Sequence, residues 1–469
     1  MNAIPSTNPH RSTIQTMRRI SGLASAIVCL ALLTTHRAGG ELLFQEQALP
    51  LPEWMRNQVI YEVNVRQFSS EGSFKGVEAH LPRLHKLGIN TLWFMPVQPI
   101  GKLNLKGELG SYYAIGDYTG INPEYGSAED FRSLVNKAHE LGMRVLLDWV
   151  PNHTAWDNPL TVSNPEFYAK DCQGNFTPPT GTDWTDVIQL NFDAPGLCNY
   201  QYSAMKYWLD TYAIDGFRCD VAWNVPTKFW DELTKRLREY KPDIYMLAEA
   251  EIGEQMLHSF NTCYGWDLLH CFESVAQGRL PANSIDSALN RRILRSPNGS
   301  SFLNMTSNHD ENSWNGTVFE RFGKGAQAFA VLAMTIDGVP LIYNGQEAGL
   351  DKRLKFFEPD PIEWKASPME QFYRTLISLK TSSSALLVGA ATEKLPNTEE
   401  QSVYSFIRGK SGEGELLVVT NLGAKDVEVE IGSHRLAGEW TDAFSGAAVL
   451  YGNSVKLTLR SWDYIVLHR

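Results

Sequence analysis

Residues 216–250 read GFRCDVAWNVPTKFWDELTKRLREYKPDIYMLAEA and contain two short apolar runs with a helical pattern between them. The runs GFRCDVA (216–222) and IYMLAEA (244–250) have the length and apolar character of strands buried on both faces. Between them, residues 226–240 begin with a proline and place apolar side chains at helical spacing. A strand, a helix and a second strand in this order predict a unit of parallel sheet.

The same alternation extends along the chain from Gln58 to about Leu379. Further apolar runs are VIYEVNV (59–65), TLWFMP (91–96), RVLLDWV (144–150), an unclear one near 267–273, FLNMTSN (302–308) and VPLIYN (339–344). Helices are predicted over Ser127–Leu141, Gln201–Tyr212, Pro226–Tyr240 and Met369–Lys380. Seven clear strands and one unclear strand, separated by helices, predict an α/β fold of the eight-stranded (β/α)8 TIM barrel type.

Two segments depart from this alternation. Residues 152–216 form a gap too long for an ordinary loop and rich in Asn, Asp, Pro, Thr and Gly, which predicts an inserted domain at 153–197, after the third strand. After Ser384 the sequence alternates apolar and polar residues, as in SVYSFIR and ELLVVTNL. This pattern predicts a barrel at 41–384 and a C-terminal antiparallel β-sandwich at 385–469.

The N-terminal residues have the layout of a secretory signal. Arg18 and Arg19 precede an apolar run at 22–33, which is too short to span a bilayer and is followed by small residues at 38–40. We therefore expect residues 1–40 to be removed on export to the periplasm or the medium, with Met17 as an alternative start. No later segment is apolar for long enough to predict a membrane span in the mature chain.

The composition narrows the class of ligand. Hydrophobic residues make up 43% of the chain, aromatic residues 11%, and the formal net charge is -11. A nucleic acid or an anionic membrane would require a basic surface, so this charge argues against both partners. Flat, neutral ligands such as sugars fit better, because aromatic rings stack on their apolar faces, although most of these rings are expected to be core.

Five cysteines follow the predicted signal. Cys172 with Cys198, and Cys263 with Cys271, are candidate disulfide pairs in an oxidising compartment, and Cys219 would remain as a buried thiol. The sequence alone leaves the connectivity open.

Charged residues end several of the predicted strands, at the end of a barrel where catalytic groups are found. They are Asp148 with Asn152 and His153, Arg218 with Asp220, Glu249, and His309 with Asp310. A single charge of this kind is usually a rim salt bridge, whereas four at one mouth indicate a site. Arg218 and Asp220 are two apart on a strand, so their side chains point to the same side and can meet.

Two facing carboxyl groups, one ionised and one protonated, are the equipment for glycoside cleavage. Glu249 lies in the apolar setting MLAEA, where desolvation would raise its pKa, so we expect it to be the general acid/base. Asp220, beside Arg218, is then the nucleophile. Asp310 would stabilise the positively charged transition state.

The ordered motifs resemble the α-amylase superfamily, glycoside hydrolase family 13, over about residues 55–469. The four conserved regions of that family are matched by DWVPNH (148–153), GFRCDVA (216–222), LAEA (247–250) and TSNHDEN (306–312). Flanking motifs are matched by GINTLWFMPV (88–97), YYAIGDYTGINPEYG (112–126) and GVPLIYNGQE (338–347). The resemblance implies the same barrel, inserted domain and C-terminal sandwich, and action on α-glucans. We expect the protein to be a monomer.

The resemblance also implies roles for further residues. Tyr113 would stack on the sugar at the cleavage point, although the adjacent Tyr112 is an alternative. His153 and His309 would bind its hydroxyl groups, and Asp148 would orient Arg218.

Some positions differ from the family pattern. Many α-amylases carry a Lys-His pair three and four residues after the nucleophile, where this chain has Trp223 and Asn224. Trp223 is either a stacking platform for the leaving group or a packed side chain. Ala114 replaces an Asp that α-glucosidase-like relatives place after the stacking Tyr, which favours action on internal bonds.

The resemblance requires no cofactor for the chemistry and allows a structural Ca²⁺. The calcium ligands would be Asn152 with acids drawn from Asp183, Asp186 and Asp193.

Three functions remain open on the sequence. The first is retaining hydrolysis of α-1,4 bonds in starch or maltodextrins. The second is transglycosylation, or hydrolysis of maltooligosaccharides or cyclodextrins, by the same residues. The third is a non-catalytic carbohydrate-binding relative, which the retained acids Asp220, Glu249 and Asp310 disfavour.

Overall fold

The computed structural model describes residues 44–469. The predicted signal at 1–40 lies outside this range. Within the described residues, no helix combines the length and the hydropathy needed to cross a bilayer.

Ten strands lie in the first part of the described chain, and eight of them close into a parallel barrel. They are β1 (Ile60–Val63), β2 (Thr91–Phe94), β3 (Arg144–Trp149), β4 (His153–Ala155), β5 (Val187–Gln189), β6 (Gly216–Cys219), β7 (Tyr245–Ala248), β8 (Thr262–Tyr264), β9 (Ser301–Asn304) and β10 (Val339–Tyr343). Around the barrel the order is β1-β10-β9-β8-β7-β6-β3-β2, and β2 pairs with β1. The predicted (β/α)8 barrel is therefore confirmed.

Twelve α-helices lie in the described residues and mostly connect these strands. They are α1 (Val65–Phe68), α2 (Phe74–Leu87), α3 (Ala128–Glu140), α4 (Leu160–Ser163), α5 (Leu197–Tyr212), α6 (Thr227–Tyr240), α7 (Gln255–His258), α8 (Trp266–Ala276), α9 (Ser284–Arg295), α10 (Val318–Phe322), α11 (Ala326–Thr335) and α12 (Pro368–Ser382). The four predicted helices correspond to α3, α5, α6 and α12. The start of α3 follows from a capping box, in which Ser127 and Asp130 bond each other's backbone N–H groups.

The unclear sixth strand was placed wrongly. Residues 267–273 belong to α8, and the strand is the three-residue β8 immediately before it. The apolar run is helical because Leu268, Leu269, Phe272 and Val275 share the buried face of α8. A strand of three residues is too short to show a period of its own.

The segment between β3 and β6 contains a small antiparallel ribbon rather than a large sheet. β4 pairs with β5, with His153 opposite Gln189. Because β4 begins four residues after the end of β3, the ribbon starts at the mouth of the barrel. It thereby brings His153 to the same end of the fold as the strand-end acids.

The C-terminal part is antiparallel, as predicted. Its strands are β11 (Thr392–Lys394), β12 (Val403–Gly409), β13 (Glu415–Asn421), β14 (Val427–Gly432), β15 (Gly438–Asp442), β16 (Ala448–Tyr451), β17 (Ser454–Leu459) and β18 (Tyr464–His468). Six form one sheet, while β14 and β17 form a second, two-stranded sheet. Alternation along β13 sends Leu416 and Val418 into the barrel-side core, and Leu417 and Val419 into the core between the two sheets.

The cysteine pairing expected from the sequence is not found. Cys172, Cys198, Cys219, Cys263 and Cys271 are all free thiols. Cys263 is on β8 and Cys271 is on α8, and the strand and helix carry both into the apolar core. Both residues therefore pack in the core as small apolar side chains, which is common for free cysteines.

Candidate active site

Arg218 lies at the centre of the polar residues in the barrel. It is fully buried on β6, and its Nη1 donates to both oxygens of Asp148 at 2.9 and 3.1 Å and to Oδ1 of Asp220 at 3.1 Å. Its Nη2 is 2.9 Å from Oε2 of Glu249, and its Nε donates to the hydroxyl of Tyr264. One guanidinium thus holds three carboxyl groups that come from β3 and from the ends of β6 and β7.

The surroundings of Glu249 differ from the apolar setting predicted by its neighbours in sequence. Its Oε2 accepts the Val221 backbone N–H at 2.7 Å and also faces Arg218. Apolar neighbours in sequence do not bury a strand-end carboxyl when donors from the next strand reach it. The Glu249 carboxyl group therefore has polar donors as well as apolar neighbours.

The surroundings of Asp220 shift the pKa of its carboxyl group. Burial, followed by the charge of Glu249, raises the pKa of Asp220 well above its usual range, more than Arg218 lowers it. Because Arg218 also contacts Asp148 and Glu249, its positive charge is not available to Asp220 alone. The charge of Glu249 thus acts on Asp220, and both carboxyl groups lie on one guanidinium.

One oxygen of Asp220 remains available for chemistry. Oδ1 is held by Arg218, whereas Oδ2 is buried and has no hydrogen-bond partner among the described residues. A carboxylate oriented through one oxygen can use the other as a nucleophile.

The backbone between the two acids is strained. Val221 has φ 47° and ψ 36°, a left-handed conformation that is unusual for a β-branched residue. This conformation directs its N–H to Glu249 and begins the single helical turn Ala222–Asn224. Strain of this kind persists where the surrounding structure requires it, and here it fixes the position of Glu249 relative to Asp220.

On the other side of the mouth, His309 links two of the predicted residues. Its Nε2 lies 2.7 Å from the Tyr113 hydroxyl and 3.2 Å from Oδ2 of Asp310, and its ring is stacked on Tyr113. The Tyr113 hydroxyl also donates to Asp148 at 3.2 Å, which joins this group to Arg218. Tyr112 points elsewhere, because its hydroxyl contacts Asn64.

The charges of His309 and Asp310 support each other. Burial alone would lower the pKa of His309, but Asp310 and Glu62 raise it well above its usual value. Burial would also raise the pKa of Asp310, but the charge and hydrogen bond of His309 lower it. We therefore describe Asp310 as a carboxylate beside an imidazolium.

Two further predicted residues complete the group. Burial raises the pKa of Asp148 to about 6 despite the contact with Arg218. Burial lowers the pKa of His153 to about 3, so its imidazole is neutral at pH 7, and it hydrogen bonds to the Tyr113 backbone. All eight predicted site residues lie together at the carboxyl end of the barrel strands.

Exposed aromatic rings extend from this group in two directions. Trp223, two residues after Val221, is 51% exposed, so it is not packed beneath its loop. On the Asp310 side, the half-exposed Trp314 contacts Phe356, and Phe356 is stacked against Tyr113. Such rings are suited to the apolar faces of sugars.

The residues around Asn152 do not fit a Ca²⁺ ion. Its Oδ1 accepts hydrogen bonds from the side-chain amides of Gln189 and Asn224, both at 3.0 Å. Of the acids considered for this site, Asp186 pairs with Lys106, and the other two, Asp183 and Asp193, are exposed. Within the described residues, no cluster of three or more His, Cys, Asp or Glu side chains is placed to hold a metal.

The sequence reasoning missed three residues that contact the site. Glu62 bonds His309, Trp93 donates to Asp148 at 3.3 Å, and Tyr264 contacts Arg218. Glu62 had a detectable signal, since it is the one charged residue within the apolar run at 59–65. Trp93 and Tyr264 had no such signal, because aromatic residues in strands usually belong to the core.

Known protein families match most of the described chain. The model of the alpha amylase catalytic domain matches residues 46–171 and 182–383, and that of the alpha amylase C-terminal all-beta domain matches residues 396–463. Alpha-amylase MalA of Haloarcula japonica is 26% identical over 84% of this chain, which spans 60% of MalA. Neopullulanase 2 of Thermoactinomyces vulgaris is 25% identical over 90% of this chain and 79% of its own length.

The solved structures include a close match in fold. The maltogenic alpha-amylase AmyB of Thermotoga neapolitana superposes with a TM-score of 0.81 at 27% identity, covering 88% of this chain and 99% of AmyB. The catalytic-domain match covers more than half of the chain, in the region that carries the barrel and its acids. The chain therefore belongs to the alpha-amylase family of glycoside hydrolases, glycoside hydrolase family 13.

Proposed function

We propose that this protein hydrolyses internal α-1,4-glucosidic bonds in starch-like glucans or maltodextrins with retention of configuration. The observation that carries the proposal is the placement of Asp220 and Glu249 on the same guanidinium, Arg218. Two carboxyl groups held on one guanidinium can provide an acid and a nucleophile in the same site. Membership of the alpha-amylase family supports an α-glucan as the substrate.

In the first step, Glu249 donates its proton to the glycosidic oxygen while Asp220 attacks the anomeric carbon. The bond to the leaving group breaks, and a covalent glycosyl-enzyme forms on Asp220. In the second step Glu249 takes a proton from water, the resulting hydroxide attacks the same carbon, and Asp220 is released as a carboxylate. These steps require Glu249 to carry a proton and Asp220 to be ionised when the substrate is bound.

The neighbouring residues stabilise the reacting sugar. Asp310 supplies negative charge where the transition state becomes positive, and His309 fixes its position. Tyr113 provides a ring for the sugar at the cleavage point, and His153, being neutral, can accept or donate a hydrogen bond to a hydroxyl group.

The two aromatic surfaces belong to different parts of the substrate. Glu249 protonates the leaving group, so Trp223, on the segment that bonds Glu249, would contact the leaving-group side. Phe356 and Trp314 continue from Tyr113 and would contact the sugars on the other side. An open surface on both sides, with Ala114 in place of an acid, favours internal bonds over chain ends.

The chain's location and assembly are part of the proposal. The pattern of residues 17–40 supports export to the periplasm or the medium. We propose that the mature enzyme acts as a monomer and needs no cofactor for its chemistry.

Purified protein incubated with soluble starch tests the proposal. We expect new reducing ends of initially α configuration, and loss of at least about 10⁴-fold in kcat for Asp220→Asn, as expected when a covalent nucleophile is removed. Initial release of the β-anomer would exclude retention. An active Asp220→Asn variant would exclude the mechanism.

A second candidate function uses the same residues on smaller substrates. Membership of a family that includes relatives such as a cyclomaltodextrinase supports transglycosylation or the hydrolysis of short or cyclic glucans as an alternative. Product chromatography with maltotriose distinguishes hydrolysis from transglycosylation, because products longer than the donor indicate transfer. Absence of turnover on every glucan, with binding retained, would favour a non-catalytic binding protein.

A further inference from the structure

Glu62 is a buried acid that has no part in the proposed mechanism. It lies on β1, where its neighbours in the barrel are Trp93 on β2 and Tyr343 on β10. Its side chain is fully buried, and burial raises its pKa, although the neighbouring His309 acts to lower it. Burying a carboxyl group costs several kcal/mol unless partners compensate, so its partners reveal its role.

The partner of Glu62 is His309. Oε1 of Glu62 is 2.5 Å from Nδ1 of His309, on the side of the ring opposite the nitrogen that faces Tyr113 and Asp310. The other oxygen, Oε2, has no hydrogen-bond partner among the described residues. Within the described residues, the hydrogen bond of this carboxyl group therefore goes to His309 alone.

This geometry determines what His309 can offer to Asp310. With a carboxylate at Nδ1, the ring carries both protons, and Nε2–H can donate to Oδ2 of Asp310. With the neutral amide of Gln in place of Glu62, the imidazolium would lose one of the two carboxylates that stabilise it. The ring would then lose a proton at lower pH, and no charge at Nδ1 would fix the position of the proton that remained.

Other charged and titratable groups also act on the pair. Those that face Glu62 or His309 from the surrounding elements are Tyr113, Asp148, Arg218, Tyr264, Asp310 and Tyr343. Arg218 is the one cation among them, and it is committed to three carboxyl groups. The closest charges to His309 are therefore Glu62 and Asp310, which together favour the doubly protonated ring.

We propose that Glu62 is a positioning residue for glycoside cleavage, which holds the His309 ring with its Nε2–H directed at Asp310 and Tyr113. The role in catalysis rests on the proposed function. The orientation and protonation of His309 do not depend on the proposed function, and they can be measured in the absence of turnover.

The direct test is the titration of His309 by NMR of protein with ¹⁵N-labelled histidine, assigned by comparison with His309→Gln. In the wild type we expect both ring nitrogens to stay protonated up to about pH 8. In Glu62→Gln, which keeps the shape and removes the charge, we expect the ring to lose a proton at least about one pH unit lower. A wild-type His309 that is singly protonated at pH 7 would overturn the proposal, even if Glu62→Gln failed to fold.

Enzyme kinetics give the second measurement. Glu62→Gln should reduce kcat about tenfold or more with a smaller change in KM, and should move the alkaline limb of the kcat/KM profile to lower pH. Glu347→Gln is a matched control, because Glu347 is equally buried but bonds Tyr61 and Arg83 instead. Its pH profile should match the wild type; an equal shift in both variants would show that any buried acid in the barrel has this effect.

Inactivity of the wild type on every glucan would refute the proposed function and not the placement of His309. Unchanged titration of His309 in Glu62→Gln, in a wild type that cleaves starch, would refute the positioning role alone.

Discussion

At the scale of single residues, the main feature of the site is that several acidic side chains share one basic partner. Arg218 contacts three carboxyl groups, so it cannot hold Asp220 in the ionised form by itself. Burial raises the pKa of Asp220, and the charge of Glu249 raises it further. Nucleophilic attack requires an ionised Asp220, so in the proposed mechanism the bound substrate must favour that form.

Trp223 provides a test of substrate contacts at this scale. Trp223→Ala should raise KM for soluble starch about 2- to 10-fold with little change in thermal stability, because a half-exposed ring contributes about 0.5–1.5 kcal/mol by stacking. The measurement is kcat and KM together with Tm.

Tyr240→Ala is the matched control for Trp223→Ala. Tyr240 is a similarly exposed aromatic residue, but it ends α6 and therefore lies at the opposite end of the barrel. If KM rises equally in both variants, or in neither, Trp223 is not a substrate platform.

At the scale of elements, the ribbon of β4 and β5 is held to the barrel mouth by side-chain amides. Gln189 on β5 donates to both the backbone carbonyl and Oδ1 of Asn152, and Asn224 donates to the same Oδ1 from the turn after β6. Neutral amides here occupy the oxygen that a calcium ion would need.

We expect the stability of this ribbon to be independent of calcium. Addition of EDTA, or of millimolar CaCl₂ after EDTA, should leave Tm unchanged, because the Asn152 oxygen is already bonded. A fall in Tm with EDTA that Ca²⁺ restores would contradict this.

Gln189→Ala tests the amide bonds themselves. It should lower the free energy of unfolding by about 1–3 kcal/mol, because two hydrogen bonds to Asn152 are lost. Asp183→Ala, at an exposed position in the same segment, is the control and should change it little.

At the scale of the whole molecule, buried basic side chains join the barrel to the C-terminal sandwich. Lys380 on α12 donates to the carbonyl oxygens of Gly338 and Leu386. Arg408 on β12 donates to the carbonyl of Thr335 and pairs with Asp337. The first strands of the sandwich are thus tied to the segment that leads into β10.

This junction should make stability depend on pH. Burial lowers the pKa of Lys380 to about 7, whereas in the unfolded chain the amine titrates near its ordinary pKa of about 10.4. Between these two values the unfolded state binds more protons than the folded state, so stability should rise with pH from about 7 to 10. The slope contributed by this group is at most about 1.4 kcal/mol per pH unit.

Lys380→Met should remove that slope, and it should also lower stability at all pH values because two carbonyl groups lose their donor. Denaturant unfolding at pH 7, 8 and 9 measures both effects. An unchanged slope in the variant would show that other groups produce the pH dependence.

Much of the architecture could be predicted because it is encoded locally. Apolar runs separated by amphipathic helices indicated the barrel, and strict alternation after Ser384 indicated the sandwich. The acids could be located because a residue that follows an apolar strand must lie at the barrel mouth. The strand β8 could not be located from the sequence, because three residues are too few to show a periodic pattern and the adjacent helix α8 is more apolar.

The sequence by itself therefore determined the fold class, the positions of Asp220, Glu249 and Asp310 at the strand ends, and the family. Only the tertiary structure decided how these groups share partners: that Arg218 serves three carboxyl groups, that Glu62 bonds His309, and that the cysteines are unpaired. The physical reason is distance along the chain. Periodicity and strand-end position are local properties, whereas hydrogen bonds and electrostatic effects among β1, β3, β6 and β7 exist only after the barrel has closed.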